Sequence, residues 1–276
     1  MKRIAIQGLI GSFHDIASHL YFKDEQIQMI CCDTFEEVFR KMDEDPTMIA
    51  LVAIENTIAG SLLHNYELLR DSGVTIVGEQ KLHIRHSICC LPEDDWDTVD
   101  EVLSHPVALM QCRDFLANHP GLKAVEAEDT AGSAKMISEK HLEHHAAICH
   151  AEAARLYGMK VLEDGIEDNK HNFTRFLVLS NPGKADFLRP LEKANKASLV
   201  FSLPHEEGSL SHVLSILSFY KINLTKIQSL PVIGHEWEYL FYVDVTFDSL
   251  TRYRQSVDAI EPLTKELKVL GEYVGS

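Results

Sequence analysis

Arg3-Ile4-Ala5-Ile6-Gln7-Gly8-Leu9-Ile10-Gly11-Ser12-Phe13 opens the chain with an apolar run that breaks at Gly8 and gives way to an amphipathic stretch at residues 13–21. A short strand, a junction of small residues and a helix make the repeating unit of an α/β fold. The alternation continues to about residue 180. Strand-like runs lie at 27–31, 49–54, 74–77, 87–91, 124–127, 146–149 and 176–179, with helical periodicity at 35–42, 62–71, 107–118, 132–139 and 152–157. Residues 74–88 read as one extended stretch crossing between two lobes, and the return crossing falls near 162–166. From 183 to 196 Pro190 and mixed charges mark a linker, just after Pro182. Beyond it, strands at 198–203, 222–230, 238–247 and 269–273 alternate with helices at 210–220 and 251–267. This β-α-β-β-α-β order is ferredoxin-like. The expected domains are 1–182, in two lobes with the second at about 80–165, and 197–276.

The chain has 276 residues, 45% of them apolar and 25% charged, in the range of a globular protein. Its net charge of −16 argues against nucleic-acid or anionic-membrane partners, and an anionic ligand needs a local positive site. No N-terminal apolar run suits a signal peptide and no segment is long enough to span a membrane, so a cytoplasmic location is expected. The six cysteines form no C-x-x-C pair and read as buried, reduced thiols. Four of the 15 histidines, His141, His144, His145 and His150, cluster in sequence without the ligand pattern of a metal site, so no metal is expected.

Four strand-to-helix junctions carry small or polar residues: Gly8 to Phe13, Glu55 to Ser61, Ser104-His105-Pro106 and Asp129 to Ser133. Ligands of open α/β sheets bind beyond the carboxyl ends of strands, where helix N-termini present free N–H groups to anions. Each junction alone is equally a turn with a helix cap. The first lacks the third glycine of the dinucleotide fingerprint and the lysine of the phosphate-binding loop, and no G-x-S-x-G elbow is present. A fifth stretch, Asn172-Phe173-Thr174-Arg175-Phe176, puts a hydroxyl and a guanidinium side by side at the mouth of an apolar strand. Arg175 offers a planar fork for a carboxylate, and Thr174 a small donor for a leaving oxygen.

In order along the chain these segments resemble the prephenate dehydratase family: Gly8 to Phe13, Glu55-Asn56-Thr57 with Gly60-Ser61, Leu82 to His86, Ser104-His105-Pro106, Gln111-Cys112, Asp129-Thr130-Ala131, and Asn172 with Thr174-Arg175-Phe176. The resemblance implies two lobes like a type II periplasmic-binding-protein fold, with the site in the cleft. It implies prephenate as substrate, phenylpyruvate, carbon dioxide and water as products, and no cofactor. On that basis Thr174 donates to the departing hydroxyl, and Arg175 binds the side-chain carboxylate with N–H groups near Ser12 and Thr130. Asn56, Ser104 and Gln111 orient the ring, and Glu55 or His105 supplies a proton through a neighbour. Phe13, Thr57, Ala131 and Phe176 complete the expected substrate contacts. Leu9 and His14 depart from the family's usual proline and small hydroxyl residue.

Residues 197–276 resemble an ACT regulatory domain. That implies pairing into a homodimer or homotetramer and L-phenylalanine as effector, held by Gly208, Ser209, Leu210, Asn223, Gln228 and Ser229. Gln228 and Leu230 stand where the family usually has a carboxylate and a guanidinium. A coupled chorismate mutase domain is not expected. Arogenate dehydratase, a two-lobed sensor and an inactive ACT-paired scaffold are the alternatives.

Overall fold

A computed structural model describes every residue except Asp186, Phe187, Arg189 and 233–237. The chain is mixed α/β. It divides into two compact units, the first made of Met1–Lys41, Ala50–Leu62 and Gln80–Phe176, the second of Met42–Ile49, Leu63–Glu79 and Leu177–Ser276. The second unit therefore begins before the linker expected at 183–196 and takes in two earlier stretches. The expected linker itself holds part of a short helix and a 3-10 turn, Leu191–Lys193.

One sheet has the order β2-β1-β3-β11-β5, with β4 paired to β3. Its strands are β1 (Lys2–Gln7), β2 (Ile27–Cys32), β3 (Ile49–Asn56), β4 (Gly60–Ser61), β5 (Thr75–His83) and β11 (Phe173–Ser180). Three helices follow its early strands: α1 (Phe13–Tyr21), α2 (Phe35–Glu44) and α3 (Leu63–Asp71). Strand β3 is buried along Ile49–Ile54 and reaches half-buried polar positions only at Glu55 and Asn56. A strand covered on both faces reads as a continuous apolar run, and its polar end marks where the sheet opens.

The first unit also holds a five-stranded sheet of order β10-β6-β9-β7-β8. These strands are β6 (Ser87–Cys90), β7 (Glu101–Ser104), β8 (Lys123–Glu126), β9 (His145–Cys149) and β10 (Lys160–Asp164). Alternation along β6 and β9 splits its core. Ile88, Cys90, Ala146 and Ile148 face one layer, while Cys89, Ala147 and Cys149 face the layer of α6 (Thr130–Lys140) and α7 (Ala151–Leu156). Strands β7 and β10 were not anticipated; both are short and mixed in polarity.

A single helix was expected over 107–118. Two form instead, α4 (Pro106–Met110) and α5 (Arg113–Asn118). The cause lies far along the chain: Asp168 accepts the backbone N–H groups of Arg113 (3.0 Å) and Asp114 (3.1 Å), and donates its own N–H to Gln111 O (2.8 Å). A carboxylate on two N–H groups starts a new helix at Arg113.

The second unit contains α8 (Pro182–Ala185), β12 (Lys196–Ser202), α9 (Ser209–Phe219), β13 (Asn223–Pro231), β14 (Tyr239–Thr246), α10 (Leu250–Ile260) and β15 (Glu266–Tyr273). The last six elements form β-α-β-β-α-β with sheet order β13-β14-β12-β15. Ala197, Leu199 and Phe201 of β12 pack with Val243 and Val245 of β14 against Val213, Leu217, Tyr253 and Ile260. The helix expected at 251–267 stops sooner, because Pro262 forces a 3-10 turn and β15 begins at Glu266.

Two contacts hold β15 and β12 to earlier segments of the same unit. At Gly271 a Cβ would lie 2.3 Å from the Ile76 carbonyl oxygen, so only glycine fits that close approach. Lys196 Nζ sits 3.0 and 2.8 Å from the two carboxylate oxygens of Glu79, and both residues are buried. No helix among the described residues is long and apolar enough to cross a membrane.

Candidate active site

Within the first unit a cavity of about 320 Å3 is lined by residues from the ends of β1, β3 and β11 and from the first turns of α1, α4 and α6. Each of those turns is capped by its own sequence. Ser12 Oγ accepts from Asp15 N (3.4 Å) while Asp15 Oδ2 accepts from Gly11 N (2.8 Å), a reciprocal cap at the start of α1. Gly11 has φ +87°, and an added Cβ would meet Ala153 at 3.2 Å, so the loop needs glycine there. His105 Nδ1 accepts from Val107 N (3.2 Å) at α4, and Asp129 Oδ1 from Gly132 N (2.6 Å) at α6.

The hydrogen-bond order of the site follows from one turn. Asn56 Oδ1 accepts the backbone N–H groups of Ile58 (2.9 Å) and Ala59 (2.8 Å). A backbone N–H only donates, so the other end of the Asn56 amide is the nitrogen. That nitrogen donates to Asn172 Oδ1 (2.7 Å), Thr174 Oγ1 (2.9 Å) and the Phe173 carbonyl (3.2 Å). Asn172, fully buried, then donates from Nδ2 to Gln111 Oε1 (2.9 Å). Gln111 Oε1 is an acceptor, so His86 Nε2, 3.0 Å away, carries a proton and donates to it.

Two consequences are chemical. Thr174 Oγ1 already accepts from Asn56, which leaves its own O–H to donate to a group in the cavity. His86 is held as the Nε2–H tautomer, and its Nδ1 is buried with no hydrogen-bond partner among the described residues. Burial lowers the His86 pKa, more than Gln111 and Glu167 raise it. At Asp129 burial pushes the carboxyl up, opposed by the Gly132 N–H and the nearby His105.

Of the residues singled out from sequence, Ser12, Phe13, Asn56, His105, Gln111, Thr130, Thr174 and Phe176 line this one cavity. The structure puts the others behind it or beside it. Ser104 is buried and donates to Ile148 O (2.6 Å), and Ala131 is packed in the core beneath α6. Thr57 ties its loop to β11, accepting from Phe173 N (2.9 Å) and donating to His171 O (3.1 Å). Arg175, buried, pairs with Glu55 at 3.3 Å, and neither lines the cavity. In the second unit Gly208, with φ +81°, precedes Ser209 and Leu210 in the first turn of α9, while Asn223, Gln228 and Ser229 lie on the edge strand β13.

Sequence reasoning did not place His14, His86, Asn172 or Asp129 among the site residues. Asp129 was visible as the N-cap of α6, and His86 and Asn172 as the ends of motifs. His14 Nε2 accepts from Ala53 N (3.3 Å), a partner on another strand that no local pattern announces.

A relative from Arabidopsis thaliana, arogenate dehydratase/prephenate dehydratase 6, is 35% identical over 98% of this chain and 68% of its own length. The chain spans about two thirds of the length of such plant relatives. Among solved structures, a prephenate dehydratase from Arthrobacter aurescens in complex with L-Phe superposes with a TM-score of 0.87 at 25% identity, over 99% of this chain and 89% of that one. GqqA, described as a novel type of quorum-quenching acylase, superposes with a TM-score of 0.87 at 28% identity, over 99% of this chain and 98% of that one. Residues 4–184, the stretch that builds the cavity, match the family of prephenate dehydratases, and the chain belongs to that family.

Proposed function

We propose that the chain is a prephenate dehydratase of L-phenylalanine biosynthesis, working in the cytoplasm without a cofactor. The ring carboxylate leaves as carbon dioxide, its bonding electrons enter the ring, and the C4–O bond breaks. The departing hydroxide takes a proton and leaves as water, giving phenylpyruvate. The observation that carries this reading is the hydrogen-bond order running from the Asn56 turn, which leaves the Thr174 proton free to meet the departing oxygen. As an alcohol Thr174 stabilises the developing charge rather than surrendering its proton, so Glu55 or His105 is the proposed proton source through a neighbour. Asn56 and Gln111 shape the ring pocket, with Ser104 supporting them from behind. Ser12, Phe13, Thr57, Thr130, Ala131 and Phe176 complete the proposed substrate site, and Arg175, now held by Glu55, is the proposed carboxylate partner.

The same reading makes the first domain a type II periplasmic-binding-protein-like pair of lobes and residues 197–276 an ACT domain. This domain pairs into a dimer or tetramer and binds L-phenylalanine through Gly208, Ser209, Leu210, Asn223, Gln228 and Ser229. The L-Phe complex of the Arthrobacter protein supports that effector.

The test is phenylpyruvate formation from prephenate, with and without L-phenylalanine. Thr174→Ala should lower kcat about 10²–10³-fold with the fold intact, the loss expected for one preorganised donor. A near-normal kcat removes Thr174 from the mechanism, and turnover that L-phenylalanine leaves unchanged removes the feedback.

A second substrate, arogenate, is favoured by one observation: Glu128 and Asp129 line the cavity and, among the described residues, no lysine or arginine does. Arogenate carries an ammonium where prephenate has its ketone, and a positive charge suits such a lining better than a neutral carbonyl. An acylase reading, suggested by GqqA, needs a nucleophile beside a base. Here Thr174 Oγ1 faces an amide and Ser12 Oγ caps a helix.

A further inference from the structure

We propose that His14 is a substrate-contacting residue, whose Nδ1–H donates a hydrogen bond to an oxygen of the substrate side chain at the end of the ring opposite the leaving hydroxyl; this rests on the dehydratase reading above. His14 stands second in α1, nine-tenths buried, and lines the cavity. Ala53 N–H donates to its Nε2 at 3.3 Å. A backbone N–H has nothing to accept, so Nε2 must present its lone pair and the imidazole proton is confined to Nδ1. Nδ1 has no hydrogen-bond partner among the described residues, yet it is not among the buried polar atoms that lack one, so it opens on the cavity.

The surroundings hold this donor rigidly. The imidazole ring packs against Phe176 (centroids 5.0 Å, interplanar angle 79°) and Phe35 (5.6 Å, 58°). Burial lowers its pKa to about 3, so the ring is neutral wherever the enzyme works. A neutral imidazole that can only donate into the cavity binds oxygen without adding charge. Its position gives the orientation. Thr174 and Phe176 share one face of β11, two residues or about 6.6 Å apart along the strand. With Thr174 at the hydroxyl, His14 beside Phe176 meets the far end of the ring, where prephenate carries its three-carbon side chain.

Two near-isosteric variants separate this role from a structural one. His14→Gln can keep an acceptor for Ala53 N–H at the Nε2 position and loses the cavity donor. His14→Asn keeps an amide N–H at the Nδ1 position and loses the acceptor. Steady-state kinetics with prephenate and with arogenate should show kcat/KM falling about 10- to 100-fold in His14→Gln, with His14→Asn much closer to wild type. A larger loss with prephenate assigns the contact to the ketone oxygen, and an equal loss with both substrates assigns it to the shared carboxylate. Wild-type rates in His14→Gln, or His14→Asn as the more damaged variant, overturn the proposal. Nitrogen-15 shifts of the full-length protein, with the His14 signal identified by its loss in His14→Gln, should show Nδ1 protonated and Nε2 bare. The opposite tautomer overturns the proposal whatever the rates. Wild-type protein inert toward both substrates would overturn the dehydratase reading, and this contact with it.

Discussion

Asn56→Asp should silence the enzyme while keeping its loop, because the substitution changes the direction of a hydrogen bond and little else. One carboxylate oxygen can still accept from Ile58 N and Ala59 N, now at 2.9 and 2.8 Å, so the turn after β3 persists. The second oxygen takes the place of Nδ2 and faces three oxygens, Asn172 Oδ1, Thr174 Oγ1 and the Phe173 carbonyl, at 2.7, 2.9 and 3.2 Å. The Thr174 hydroxyl then turns to donate to the carboxylate, and the substrate loses its donor. Losing one preorganised donor lowers kcat about 10²–10³-fold. The remaining oxygen contacts lower stability by about 1–3 kcal/mol. The pH dependence has a definite sign. A carboxyl crowded by acceptors is stabilised in its protonated form, and its pKa rises. Once protonated it donates as the amide did, so kcat of the variant climbs as pH falls toward that raised pKa. The assay is phenylpyruvate formation across pH, with thermal unfolding to follow stability. A kcat within a few-fold of wild type at neutral pH would refute the directional argument.

Three further outcomes concern stability. Gly271→Ala places a Cβ 2.3 Å from Ile76 O, so it should destabilise by at least the 1–3 kcal/mol typical of overpacking, read as a lower Tm. Glu79→Gln leaves Lys196 charged and buried at a cost of about 3–5 kcal/mol, and adding Lys196→Met should recover part of it in denaturant titration. His14 stays neutral to a pKa of about 3 in the folded protein, whereas its ordinary value is 6.5. Below that ordinary value the unfolded chain takes up a proton that the folded one refuses, so stability falls as pH drops from 6.5 toward 3. The slope is about 1.4 kcal/mol per pH unit, and equilibrium unfolding at several pH values should show it reduced in His14→Gln.

The parts of the fold that depend on local pattern were legible in the sequence. The apolar run Ile49–Ile54, the cap at Ser12, and the β-α-β-β-α-β order at the C-terminal end all declare themselves within a few residues. The polar junctions likewise converge, since strand ends and helix starts of an α/β sheet meet on one side. What escaped depends on distant partners. Nothing near Arg113 shows that Asp168 will cap it, and nothing near His14 shows that Ala53 will fix its tautomer. The pairing of Arg175 with Glu55 is of the same kind.

The break between α4 and α5 has a consequence for the order of events during folding. Residues 106–118 carry a continuous helical periodicity, and an early chain has no reason to interrupt it. The N–H groups of Arg113 and Asp114 meet Asp168 only after a loop of 54 or 55 residues has closed. Closure of that length is slow compared with local helix growth. The native kink at Gln111, which aims that side chain at His86 and Asn172, is therefore a late event. An unbroken helix through Cys112 should precede it, and the ring pocket is completed only when that helix is cut in two.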